Sequence, residues 1–72
     1  MTDYNGWTNY ETWNVALYIQ NDEGLYNIAQ HCDDYQDFVD TIEGLLSKTP
    51  DGVSYTSDNL NWHELNEMIE EL

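Results

Sequence analysis

Seventy-two residues carry fifteen carboxylates against a single basic residue, Lys48, for a formal charge of −14, which excludes a surface that attracts nucleic acid directly. Three Trp, six Tyr and one Phe exclude a disordered acidic tail, because low hydrophobicity is what keeps such tails unfolded, and they supply large pieces for one small domain over residues 1–72. No apolar run approaches a membrane span, the N-terminus lacks a basic-then-apolar secretory pattern, and the lone Cys32 cannot form an internal disulfide, which points to a reducing cytosol.

In chain order, residues 1–7 read as a short polar arm punctuated by Tyr4 and Trp7. Thr8 followed by Glu11 has the spacing of a capping box, in which the hydroxyl accepts from the third helical amide and the glutamate reaches back. This predicts a first helix over Asn9 to Gln20, with Trp7 packed on its first turn beside Thr12 or Trp13. Six of the seven residues from Trp13 to Ile19 are apolar, too many for one stripe, so this helix is expected to be covered on more than one side. Asn14, within that run, must then be hydrogen-bonded or cost about 1–3 kcal/mol as an unsatisfied buried group.

Asp22 reads as the cap of a second helix, about Glu23 to His31, whose Leu25, Ile28, Ala29 and Cys32 recur on one face. Tyr35, Phe38, Val39, Ile42, Leu45 and Leu46 form a longer stripe that predicts a third helix from Tyr35 to Ser47, with Gly44 on its polar side as a mild cost. Thr49-Pro50-Asp51-Gly52 is a turn signal, and Val53 to Thr56 alternates like a short extended segment. Asn61 with Glu64 repeats the capping logic, and Trp62, Leu65, Met68, Ile69 and Leu72 give a fourth helix. The expected fold is a compact all-α bundle of about four short helices with an irregular or extended segment near residues 53–56.

The run NGWTNYETWNVALYIQNDEGLY, with the later TPDGV and ELNEMI, resembles a family of small uncharacterised acidic proteins found in phages and some bacteria. The block from Asn9 to Leu17 carries the resemblance, which extends over most of the chain. It implies a viral or mobile-element origin, hence the host cytoplasm as the site of action. It transfers no activity, cofactor or catalytic residue.

The carboxylates are the first candidates for function. Asp37, Asp40 and Glu43 step by three on the third helix, opposite its apolar stripe, and Glu64, Glu67 and Glu71 do the same on the fourth, with Glu70 beside them. Like charges at these spacings lie about 5–6 Å apart and destabilise a helix by a few tenths of a kcal/mol per pair. A protein needing only solubility would interleave lysines. The ridges therefore point to a basic partner protein, of the kind that handles nucleic acid, with mimicry of a phosphate backbone as the sharper form of that reading. Against it stands a solvated acidic face.

An alternative places the interaction on an aromatic surface of Tyr4, Trp7, Tyr10 and Tyr18, since Trp and Tyr dominate binding hot spots; the chain would then be an adaptor or small subunit, with acidity serving solubility. A third reading is a metal-binding protein, but EF-hand spacing is absent, and His31, Cys32 and His63 lack zinc spacing, so neither a metal nor another cofactor is expected. Adjacent His31 and Cys32 point about 100° apart on a helix, a poor nucleophile–base pair, and no enzymatic activity is expected. Oligomeric state is left open by the sequence.

Overall fold

The computed structural model describes residues 6–72. It contains four helices, α1 (Tyr10–Asn21), α2 (Glu23–Gln30), α3 (Tyr35–Ile42) and α4 (Trp62–Glu70), and no named strand among the described residues; this is the expected all-α bundle. Helix α1 packs against α2 and α4, and α3 packs against the same two, so the four close into a ring. Inside it lie Val15, Ala16 and Ile19 of α1, Leu25 and Ala29 of α2, Tyr35, Phe38, Val39 and Ile42 of α3, and Leu65, Met68 and Ile69 of α4. The Tyr35 ring anchors this core, stacked 5.8 Å from Phe38 and meeting Trp62 edge-on at 4.8 Å, while its hydroxyl donates to the Tyr55 carbonyl at 2.6 Å.

Asp22 and Asn61 cap their helices as expected, and Asp34 caps α3. Asp22, Asp34 and Asn61 accept from the backbone amides of Leu25, Asp37 and Glu64, satisfying donors that the first helical turn leaves open. The first helix differs. Asn9, not Thr8, is its cap, accepting from the Thr12 amide at 2.9 Å, and its side-chain amide donates to the Asn59 carbonyl at 2.6 Å. Thr8 is drawn elsewhere: its amide and hydroxyl donate to the two oxygens of Glu64 at 3.0 and 2.9 Å. Thr12, fully buried, accepts from the Asn61 amide at 2.9 Å. The start of α1 is thereby tied to the start of α4.

The third helix is shorter than its apolar period predicts. It stops at Ile42, with Glu43 as C-cap and Gly44 at φ +90°. A left-handed residue just past the cap is a common way to end a helix, and glycine takes it without a Cβ clash. Leu45 and Leu46, expected to extend the stripe, are instead 72% and 44% exposed. Open space surrounds Gly44, so an added methyl meets no neighbour and the cost of Gly44→Ala is backbone strain alone. We expect this substitution to destabilise the fold by about 1–2 kcal/mol, read as a lower urea midpoint at unchanged m-value.

Beyond α3 the chain makes a small antiparallel loop. Tyr55 donates its amide to the Ser47 carbonyl at 3.1 Å, Thr49 to Val53 at 2.8 Å, and Gly52 to Thr49 at 2.8 Å, with a bridge between Lys48 and Ser54. The predicted turn at residues 49–52 and the extended segment after it are both present, the latter as an isolated bridge. The loop packs over the polar side of α1. Asn14, 0% exposed, donates to Asp51 Oδ2 at 2.8 Å and accepts from the Thr49 hydroxyl at 2.7 Å. That hydroxyl in turn accepts from the Val53 amide at 3.1 Å. Thr12, Asn14, Val15, Ala16 and Ile19 are all buried, so α1 is covered beyond a single stripe, as its composition implies.

Candidate functional site

A concavity lies along one face of α4. Glu64, Glu67, Met68, Glu71 and Leu72 line one side of it, with Gly6, Trp7 and Gln20 opposite, around a volume of about 440 Å³. Positions 64, 67, 68, 71 and 72 recur at i, i+3, i+4, i+7 and i+8, which places them on one helical face. The face is mixed: Met68 is buried, Trp7 and Leu72 are half-buried and packed against the core, and Glu67 and Glu71 are exposed. An apolar floor thus carries an acidic rim. Trp7 shares this groove with α4.

Glu64 has a different task from its neighbours. Both its oxygens hold Thr8, and Thr8 also accepts from the Asn61 side chain at 3.0 Å. The residue expected as the first step of an acidic ridge therefore fixes the segment that carries Trp7. Glu67 lies 3.6 Å from the His63 ring, both side chains being largely in water, so this contact contributes little in either direction. Glu70 is the last residue of α4 and Glu71 its C-cap, with no basic residue in the last turn. Carboxylates at a helix C-terminus oppose the macrodipole, so this end of α4 sets the charges of Glu70 and Glu71 against the negative end of the helix dipole.

The ridge on α3 is likewise partly engaged. Asp37 accepts from the Asp33 amide at 3.1 Å, and Asp40 from the Gln36 side chain at 3.1 Å. Glu43 lies just past the last residue of α3 as its C-cap, its amide still donating to the Val39 carbonyl at 3.0 Å. All three are exposed.

The proposed aromatic face is dispersed. Tyr4 lies outside the described residues. Trp7 is in the α4 groove, Tyr10 is 38% exposed and 5.7 Å from the Trp13 ring, and the Tyr18 hydroxyl donates to Asp51 Oδ2 at 3.3 Å, beside a separate hollow lined by Leu25, Leu46, Lys48 and Tyr55. Burial, and then the neighbouring Asp51 charge and its hydrogen bond, push the Tyr18 phenol up.

Cys32 and His31 both turn back on α2. The thiol donates to the Ile28 carbonyl at 3.2 Å, and His31 Nδ1 lies 2.7 Å from the Asn27 carbonyl. Burial pushes the Cys32 thiol up, and nearby Asp37, Asp33 and Asp34 act in the same direction against a lowering contact from Thr41. That is the reverse of what a thiolate nucleophile requires. Among the described residues no group of three His, Cys, Asp or Glu side chains is placed to hold a metal ion, and no helix is long and apolar enough to cross a membrane.

The full chain, residues 1–72, matches the model of a family of unknown function, DUF7249. The chain belongs to this family. The resemblance to an uncharacterised family thus holds over the whole sequence, and membership brings no assigned chemistry with it. No curated protein and no solved structure matches. Met68 and Leu72 read in the sequence as core residues only, and Gly6 and Gln20 carried no signal. The i, i+3, i+4 spacing of Glu64, Glu67 and Met68 was the available sign that acid and apolar surface share one face.

Proposed function

We propose that this chain is a non-enzymatic, phage-derived acidic protein that binds a basic surface of a host protein and competes there with nucleic acid. The observation supporting this reading is the absence of internal neutralisation. Among the described residues the one ion pair is the exposed His63–Glu67 contact, so the carboxylates of α3 and α4 have no lysine or arginine of their own. Such a surface is held apart by self-repulsion and gains most from a cationic partner, whose approach it also accelerates.

The experiment is capture of partners from host lysate by the tagged full chain, followed by measured affinity for the purified partner. Raising NaCl from about 0.05 to about 0.5 M is expected to weaken binding by on the order of a hundredfold, and duplex DNA is expected to displace the chain. Converting Asp37, Asp40, Glu67, Glu70 and Glu71 to their amides together is expected to weaken binding at least about tenfold at low salt. Partners that ignore salt, DNA and these substitutions would overturn the reading. The aromatic surface would then be the one to test, beginning with Tyr10→Ala and Trp7→Ala.

A further inference from the structure

We propose that the groove between Trp7 and α4 is a docking site for an arginine side chain carried on a basic, amphipathic segment of the partner. This inference rests on the acidic-binding reading and gives that surface a focus. Three features of the groove select the occupant. Its rim supplies Glu67 and Glu71, four residues apart on one face and both exposed, a pair of acceptors for a forked guanidinium. It reaches the C-terminal end of α4, whose last turn holds no basic residue, so a cation placed there complements the helix dipole. Its floor is the half-buried Trp7 ring with Met68 and Leu72, apolar surface suited to an aliphatic stem and, at the indole, to a planar cation.

Arginine fits these demands together better than lysine. Its guanidinium is planar, weakly hydrated and forked, whereas an ammonium is a strongly hydrated point charge. A neutral apolar helix would leave the rim uncompensated, and a second copy of this chain would add a further charge of −14. A flexible basic strand without apolar residues would satisfy the rim and ignore the floor. The site is also pre-set: Glu64 fixes Thr8 through two hydrogen bonds, and Thr8 adjoins Trp7, so the indole is held near α4 before a ligand arrives. Pre-organisation of this kind lowers the ordering cost of binding.

The test uses the full chain, isotope-labelled, titrated at low ionic strength with three synthetic peptides of equal length and charge. One alternates arginines with leucines at helical spacing, one replaces arginine by lysine, and one replaces leucine by serine. The arginine–leucine peptide is expected to bind about tenfold more tightly than the arginine–serine peptide and severalfold more tightly than the lysine–leucine peptide. The largest shifts are expected at the Trp7 indole and the amides of residues 67–72. Glu67→Gln with Glu71→Gln should weaken it about tenfold, and Asp37→Asn with Asp40→Asn by less than about threefold. Trp7→Leu keeps an apolar side chain and should erase the preference for arginine over lysine, which separates a role in recognition from one in packing. Equal binding of the leucine and serine peptides, or shifts centred on α3, would overturn the docking site while leaving the broader acidic-binding reading in place. No binding by any of the three would overturn both.

Discussion

Replacing Asn14 with alanine is expected to lower the stability of the domain by about 2–4 kcal/mol, the sum of a lost buried hydrogen-bond pair and a small void. The size follows from what the amide does. Its oxygen accepts from the Thr49 hydroxyl and its nitrogen donates to Asp51, so one fully buried side chain holds the 47–55 loop against α1. Without it the Thr49 hydroxyl, itself buried, keeps its role as acceptor for the Val53 amide but loses its own acceptor. For a chain of this length, net stability is about 4–10 kcal/mol, so the variant should lose a large share of it. Urea unfolding followed by circular dichroism measures this directly. Asn14→Asp is the informative companion. It retains an acceptor for Thr49 but sets a second carboxylate against Asp51, so its penalty should grow as the pH rises through the ordinary carboxylate range. A midpoint unchanged in Asn14→Ala would mean that the loop is held by its apolar contacts alone.

The second large effect is expected at alkaline pH. Burial, with the neighbouring Tyr55 phenol, pushes the Tyr35 phenol well above its ordinary value. Burial also raises Tyr55, helped by Asp22 and Tyr18. A raised value means that the folded state keeps its phenolic proton at a pH where the unfolded chain has released it. The stability contributed this way is intact below about pH 10, the unfolded value, and is lost as the pH climbs from there toward the folded value, at up to about 1.4 kcal/mol per pH unit for Tyr35. Urea midpoints between pH 8 and 11.5 should therefore be level at first and then fall steeply. Absorbance of the buried phenolates should appear together with unfolding and not before it. Tyr35→Phe should shallow the alkaline slope while costing about 1–2 kcal/mol at neutral pH, because the Tyr55 carbonyl loses the 2.6 Å hydrogen bond. A flat profile to pH 11.5 would show that these phenols ionise without penalty in the folded state.

Much of the architecture was legible because short-range chemistry and long-range packing agree. Asp22, Asp34 and Asn61 each stand directly before an apolar-periodic stretch, and each caps. Where two neighbours could serve, the sequence could not choose: Thr8 and Asn9 are both good caps, and the decision was made by Glu64, more than fifty residues away, which claims Thr8. Gly44 failed for a related reason. Leu45 and Leu46 continue the helical period, so the glycine read as a tolerated interruption, while the backbone uses it to turn out of α3. Periodicity records which residues are apolar and says nothing of whether they are buried. The acidic candidates are exposed except Glu64, which is half-buried and bonded to Thr8, and their grouping is set by the fold. Trp7 joins Glu67 and Glu71 only after the N-terminal segment has been laid beside α4.

That arrangement has a consequence for the order in which the fold can assemble. The pairings of α1 with α2, and of α2 with α3, join stretches that follow one another directly, and their closure entropy is small. The polar ties at the head of α1 are of another kind. Thr8, Asn9 and Thr12 find their partners at Glu64, Asn59 and Asn61, separated by 56, 50 and 49 positions. Until that later stretch is in place, the buried Thr12 hydroxyl and the Asn9 amide have only water to bond. The ring is therefore a clasp whose two halves lie near opposite ends of the described chain. The groove that Trp7 lines exists only once the clasp has shut.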